Sequence, residues 1–290
     1  MFAAILQEMR IRQYTKNAFV FAAPVFSGKF FLPEVLLDSI LAFLAFSFVA
    51  SAVYVGNDLM DREKDRRHPV KRHRPIATGK ISVAQALGMI FVLLALGAAL
   101  GGSISLSLLL LLMVYFLMNV AYSLYFKHVV ILDVMLIAFG FVFRAFAGVI
   151  VAEAGATTWF ILCVFMLSLF LALAKRRGEL VLLERSGRDI TRKVLQDYSV
   201  DLLNMLIVIV CAVMLTSYAL FSSSAHDAGI YGMPTMMLTV PLVVYGAFRY
   251  LYILMICGDG ERPEEILLKD RGILLTVLIY AGCILWMRDI

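Results

Sequence analysis

Residues 37–65 read LDSILAFLAFSFVASAVYVGNDLMDREKD. No charged side chain stands between Asp38 and Asp58, and then Asp58, Asp61, Glu63 and Asp65 follow in quick succession. A membrane-crossing helix needs roughly 20 apolar residues, so this segment predicts a span near 37–58 that ends in carboxylates. Runs of the same kind predict further spans near 17–33, 82–101, 104–126, 130–151, 157–175, 202–222, 233–256 and 271–288. The expectation is an all-α polytopic membrane protein with nine transmembrane helices and a single integral-membrane domain over 1–290. The segment 17–33 is the weakest, because Pro24, Gly28 and Lys29 interrupt it.

Composition agrees with this reading. The 290 residues are 62% hydrophobic and 16% charged, with a mean hydropathy of +0.90. A soluble domain carries about 25% charged residues, so a water-soluble enzyme and a disordered chain are both excluded. The apolar residues come in unbroken runs, whereas a membrane β-barrel alternates. Cys163, Cys211, Cys257 and Cys283 lie in or beside apolar runs without Cys-x-x-Cys spacing and read as small core hydrophobes. No cleavable leader pattern precedes the first run, so the N-terminal segment is expected to be retained.

Basic residues orient the spans. With the N-terminus inside, segments 1–16, 57–81, 127–129, 175–201 and 257–271 hold 22 of the 26 Lys and Arg residues. The positive-inside rule therefore predicts a cytoplasmic N-terminus in a cell membrane. That bias does not explain the acids mixed among the bases on the same face.

At 3.6 residues per turn Asn57, Asp58, Asp61 and Asp65 share an arc of roughly 100°. Oxygen donors on one face at a helix end suit a hard cation. Mg²⁺ usually binds through one or two carboxylates plus substrate phosphates, and Asp58 and Asp61 are the expected metal ligands. The competing reading is a solvated helix end whose acids pair with Arg62, Lys64 and Arg66. The stretch that follows contains Arg66, Arg67, Lys71, Arg72, Arg74 and Lys80, with Pro69 and Pro75 preventing a continuous helix. A polybasic run alone would bind anionic lipid. Next to a carboxylate face it suggests a site for a metal-bound diphosphate, with His68 and His73 shaping the loop.

These residues resemble the UbiA-type intramembrane prenyltransferase superfamily, whose hallmark N-D-x-x-D-x-x-x-D is matched by Asn57 to Asp65. The resemblance narrows to its decaprenyl-phosphate phosphoribosyltransferase branch through Tyr14 to Pro24, Asp65 to Ala77, and Tyr122-Ser123 with Lys127. Leu132-Asp133, Phe143-Arg144-Ala145 with Ala147-Gly148, and Lys175-Arg176 with Glu179-Leu180 extend it over essentially the whole chain. Superfamily members that use prenyl diphosphates carry a second Asp-rich motif at the end of the sixth helix. Here that place reads Leu173-Ala174-Lys175-Arg176-Arg177-Gly178-Glu179.

The resemblance implies a UbiA-like bundle with a cytoplasmic active-site cavity. It implies Mg²⁺-dependent transfer of 5-phosphoribosyl from phosphoribosyl pyrophosphate (PRPP) to a polyprenyl phosphate. Asp58, Asp61, Asn57 and Asp65 would be catalytic. Lys16, Asn17, Arg66, Lys71, Arg72, Arg74, Tyr122, Lys127, Arg144, Lys175, Arg176 and Glu179 would bind substrate. No nucleic-acid partner is implied, and homo-oligomerisation stays open.

Arg144, deep in its span, must face a cavity or a partner. Asn119 and Tyr122 line the cavity or bond between helices, and Tyr198 and Arg249 are weaker candidates of the same kind. The acidic loop 257–271 either caps the site or merely connects two spans. Two rival functions remain: a prenyltransferase joining a polyprenyl diphosphate to an aromatic or small acceptor, and a transporter with an intramembrane cation site.

Overall fold

The computed structural model describes residues 2–67, 71–155, 157–186, 193–224, 235–257, 266 and 269–287, and among them every regular element is helical. Seven helices are long and apolar enough to cross a membrane: Pro33–Met60, Val83–Ile104, Leu106–Leu124, Leu132–Ala152, Thr158–Glu184, Val200–Ser223 and Thr235–Cys257. Each overlays one expected span. Arg271–Met287 is apolar but has 17 residues. The segment expected as a first span, 17–33, is not one helix. A 3₁₀ helix covers Ile11–Phe21, a five-residue α-helix covers Ala22–Phe26, and Gly28 turns the chain at φ 71°.

The chain divides into two compact units, Met1–Phe126 with Phe143–Gly155, and Lys127–Val142 with Ala156–Ile290. In the first, Pro33 opens Pro33–Met60 at a position where its missing N–H is harmless. Ser82 caps Val83–Ile104 in a reciprocal capping box with Gln85. Ser105 ends that helix in extended conformation, and its hydroxyl caps Leu106–Leu124. Small residues allow close packing: a Cβ on Gly97 would stand 2.7 Å from a Val49 methyl and 3.2 Å from the Ala45 carbonyl. Val20, Ala42, Phe46, Leu108, Tyr115 and Ala147 form the core beneath.

The N-terminal segment of this unit runs antiparallel along Pro33–Met60. Arg10 meets Asp58, Tyr14 meets Ser51, Asn17 meets Ser47, and the Phe21 ring lies 5.6 Å from that of Phe43. Gly148 lets Leu132–Ala152 approach it closely, since a Cβ there would stand 2.1 Å from the Val20 carbonyl oxygen.

In the second unit Phe170, Leu173, Leu203, Ile207, Tyr250 and Leu254 build the core. Thr158–Ser186 runs past residue 175, where a loop was expected, because Lys, Arg, Glu and Leu sustain a helix. Ser199 caps Val200–Ser223. The helix from Thr235 ends in a π turn, Ile253–Cys257.

Candidate functional site

The acidic face forms because the backbone hardly breaks at the end of Pro33–Met60. Asp61 sits at the junction with Arg62–Arg67, yet its N–H still bonds the Asn57 carbonyl, and the Asp65 N–H bonds the Asp61 carbonyl. Asp58 and Asp65 are buried, 4% and 3% exposed, while Asn57 and Asp61 are half-buried. Pro75 starts the short helix Pro75–Thr78 and places Arg74 just ahead of it in extended conformation. One nitrogen of Arg74, Nη1, donates to Asp58 Oδ1 at 2.8 Å and to Asp65 Oδ2 at 2.7 Å. Both ions of each pair are largely withdrawn from water, which strengthens such charge-assisted bonds.

A polar stripe on Pro33–Met60 receives the N-terminal segment. Ser47, Ser51, Tyr54 and Asp58 are spaced four, three and four apart and share one helix face. Ser51 donates to the Met9 carbonyl and shares a hydrogen bond with the Tyr14 hydroxyl. Arg10 adopts a left-handed backbone, φ 54° and ψ 49°. Its guanidinium lies 4.9 Å from the Tyr54 ring centre and donates to Asp58 Oδ1.

Glu8 closes the helix Phe2–Glu8 and is 1% exposed, with no nitrogen donor on either carboxylate oxygen. Burial first, then the charge of Asp58 and a hydrogen bond shared with it, push its pKa from 4.5 up to about 8. Sequence reading passed over Glu8 and Arg10. The available signal was that Glu8 is the only acid before Glu34, set in an apolar stretch.

Other expected residues fall around this cluster in the same unit. Asn17 donates to Ser47 and accepts from Arg144 Nε at 2.6 Å, and Arg144 Nη2 donates to the Tyr115 hydroxyl at 2.8 Å. Arg144 therefore has partners on neighbouring segments. Arg66 is tied to the Ala77 carbonyl and to Glu63. Lys16, Lys71 and Arg72 are exposed, Arg72 donating to His73, and Tyr122 is half-buried. Asn119 bonds back to the Tyr115 carbonyl of its own helix.

The second unit carries Lys127, Lys175, Arg176 and Glu179. Lys175 is exposed and Lys127 half-buried. Arg176, 2% exposed, donates through Nε to Asp133 and through Nη1 to Glu179. Tyr198 donates to the other oxygen of Asp133 and accepts the Ile131 N–H, both at 2.7 Å. Burial raises the Tyr198 pKa first, and its bond to Asp133 raises it further. Arg177 is held by Asn204 and by the Leu254 carbonyl in the π turn. Arg249 pairs with Asp270. The proposed cap at 257–271 lies largely outside the described residues, as do His68 and Pro69.

Among the described residues no three His, Cys, Asp or Glu side chains converge tightly enough to enclose a metal by themselves. Mg²⁺ does not require that, since phosphates and waters complete its shell. Asp58 and Asp65 supply hard oxygens, and the buried Glu8 carboxyl beside Asp58 marks a surplus of buried acid. The donor set fits a divalent cation.

A family model described as the UbiA prenyltransferase family matches residues 18–255. A decaprenyl-phosphate phosphoribosyltransferase of Corynebacterium glutamicum is 35% identical, covering 97% of this chain and 85% of that protein. One of the same name from Mycolicibacterium smegmatis is 32% identical, over 97% of this chain and 91% of its own. A UbiA homologue from Archaeoglobus fulgidus, solved with GPP and Mg²⁺, superposes with a TM-score of 0.72 at 20% identity, covering 99% of this chain and 100% of that one. The fold, the Asn57–Asp65 face and the extent of the match lead to one assignment: the chain belongs to the UbiA prenyltransferase family.

Proposed function

We propose that this multi-pass membrane protein is a polyprenyl-phosphate phosphoribosyltransferase, moving 5-phosphoribosyl from PRPP to a decaprenyl-type phosphate with release of pyrophosphate. The observation that carries the reading is the mixed cluster in which Arg74 bridges Asp58 and Asp65 while Arg10 also engages Asp58. Two buried carboxylates with cations on them offer one anionic and one cationic contact surface, as a metal-bound diphosphate requires. The full-length similarity to relatives named decaprenyl-phosphate phosphoribosyltransferase supports the choice of donor. So does the basic run Lys175–Arg176–Arg177, where prenyl-diphosphate users carry acids.

Asp58 and Asp61, assisted by Asn57 and Asp65, would hold Mg²⁺, which when bound supplies positive charge against the departing pyrophosphate. Arg10, Arg66, Lys71, Arg72 and Arg74, with Lys16, contact the donor's phosphates, Arg through paired N–H bonds and Lys as a point charge. Lys127, Lys175 and Arg176 hold the lipid phosphate or the 5-phosphate, with Glu179 orienting Arg176. Asn17, Tyr122 and Arg144 line the substrate path. Ribose C1 passes through an oxocarbenium-like state. The lipid phosphate is already an anion, so no strong base is needed.

The chain acts as one catalytic domain over 1–290. Its N-terminus and the basic segments lie on the cytoplasmic side, in keeping with the charge bias. Segment 11–26 and Arg271–Met287 add two crossings to the seven long helices.

The test uses purified protein in detergent with Mg²⁺, radiolabelled PRPP and a polyprenyl phosphate. Label is expected in the lipid phase, lost with Asp58→Asn and Asp61→Asn. No labelling, with turnover when a prenyl diphosphate and an aromatic acceptor are supplied, would move the assignment to the prenyltransferase.

A further inference from the structure

Among the described residues of the first unit, Glu8 is a buried carboxyl, 1% exposed, that no nitrogen donor reaches. It also sits in the last turn of the helix Phe2–Glu8, where the carbonyl ends disfavour a negative charge. Arg10 and Arg74 are close enough to act on it electrostatically, yet Arg10 donates to Asp58 Oδ1, and Arg74 to Asp58 Oδ1 and Asp65 Oδ2. Its charged neighbour across the helix interface is another acid, Asp58. Two carboxyls that face each other in a buried setting cannot both be ionised: either they share a proton, as the raised Glu8 pKa records for the metal-free protein, or a cation comes between them and takes the proton's place.

The position is held firmly. The Ser51 bond to the Met9 carbonyl, the Arg10 left-handed turn and the Arg10–Asp58 pair fix the residues that follow Glu8 against Pro33–Met60. A flexible terminus would let the carboxylate turn out to water. This one is stitched in place with its oxygens toward Asp58.

We propose that Glu8 is a further ligand of the cation site, reaching directly or through one water the divalent ion held by Asp58. The proposal rests on the reading that Asp58 binds such an ion. It assigns the N-terminal helix, outside the Asn57–Asp65 motif, a direct share in metal affinity.

The test is Mn²⁺ titration of the full-length protein in detergent, followed by electron paramagnetic resonance of free Mn²⁺, with thermal unfolding in parallel. Wild type, Glu8→Gln, Glu8→Asp and Asp58→Asn are compared. Glu8→Gln is expected to weaken Mn²⁺ binding about tenfold or more, a loss of the size seen when supporting groups of metal sites are removed. Its Tm without metal should equal or exceed that of wild type, because the buried acid is gone, while the rise in Tm on adding Mn²⁺ shrinks. Glu8→Asp keeps the charge on a shorter arm and should fall between the two. Wild-type Mn²⁺ affinity in Glu8→Gln, with binding lost in Asp58→Asn, would overturn the Glu8 assignment and leave the Asp58 reading intact. No Mn²⁺ binding by the wild type, with or without pyrophosphate, would overturn both.

Discussion

Replacing Arg74 by glutamine removes the one nitrogen that joins Asp58 and Asp65. In the folded protein Arg74 Nη1 lies 2.8 Å from Asp58 Oδ1 and 2.7 Å from Asp65 Oδ2, with the Arg74 side chain 27% exposed and the two carboxylates 5% and 4%. Removing one partner of a buried pair costs about 3–5 kcal/mol, mainly because the other ion is left uncompensated. Here the guanidinium keeps some water and Arg10 remains on Asp58, which lowers that cost to about 2–4 kcal/mol. In a chain of this size 1 kcal/mol corresponds to roughly 2 °C, and Tm should fall by about 4–8 °C. The assay is thermal unfolding in detergent, repeated with Asp65→Asn and with the double variant. If the cost comes from an orphaned charge, Asp65→Asn should recover much of it, leaving a coupling of about 1 kcal/mol or more in the double-mutant cycle. A fall of less than 1 °C, or strictly additive single changes, would refute the view that Arg74 holds this cluster together. Phosphoribosyl transfer should drop in Arg74→Gln whether or not Asp65 is neutralised.

Three other changes probe separate parts of the molecule. Gly148→Ala drives a methyl to 2.1 Å from the Val20 carbonyl oxygen and 3.1 Å from Pro24, so a loss at or above the upper end of the 1–3 kcal/mol typical of overpacking is expected, read as a lower Tm and reduced yield of folded protein. Tyr198→Phe deletes a donor to Asp133 and the acceptor for the Ile131 N–H; about 1–3 kcal/mol should be lost, and an unchanged Tm would show that the pair is idle. The third is a pH dependence. Glu8 has its folded pKa raised from 4.5 to about 8, so its contribution is fully present below about 4.5 and is lost as pH rises through 8. EDTA-treated wild type should lose on the order of a few kcal/mol relative to Glu8→Gln between pH 5 and 8, and parallel Tm profiles for the two proteins would contradict this.

Much of this architecture was legible because long apolar helices announce themselves. The seven long spans follow runs of 17 to 25 or more residues, and the Asn57–Asp65 face follows from helical spacing that survives the junction at Asp61. What the sequence concealed depended on distant partners. Arg176 reads as a phosphate-binding cation, and nothing near it in sequence before residue 175 announces that it also pairs with Asp133, forty-three residues away, besides Glu179 on its own helix. Glu8 and Arg10 carry no functional reading in the sequence, because nothing local reveals that they meet Asp58. Asn119, read as lining the cavity or bonding between helices, donates to the Tyr115 carbonyl four residues back in its own helix.

The segment 11–26 shows why the span read from hydropathy at 17–33 is not a single α-helix. A span read at the α-helical rise of about 1.5 Å per residue needs an unbroken apolar run, and Pro24, Gly28 and the polar residues 13–17 deny one. A 3₁₀ helix rises about 2.0 Å per residue, so the eleven residues Ile11–Phe21 cover about 22 Å. Along Pro33–Met60, the fifteen steps from Asp58 back to Phe43 cover about 22 Å at the α-helical rise. The two lengths match, and so do the contacts: Arg10 with Asp58 at one end, Phe21 with Phe43 at the other, and Asn17 with Ser47 between them. The stretched helix meets its own backbone bonds, and its polar side chains meet the serine stripe, so neither is left unpaired in an apolar setting. An α-helix over the same residues would be shorter by about 5 Å and would bring either Arg10 or Phe21 out of register with its partner. The same stretched geometry that breaks the first segment as an α-helix therefore delivers Arg10, and Glu8 just before it, to the carboxylate face.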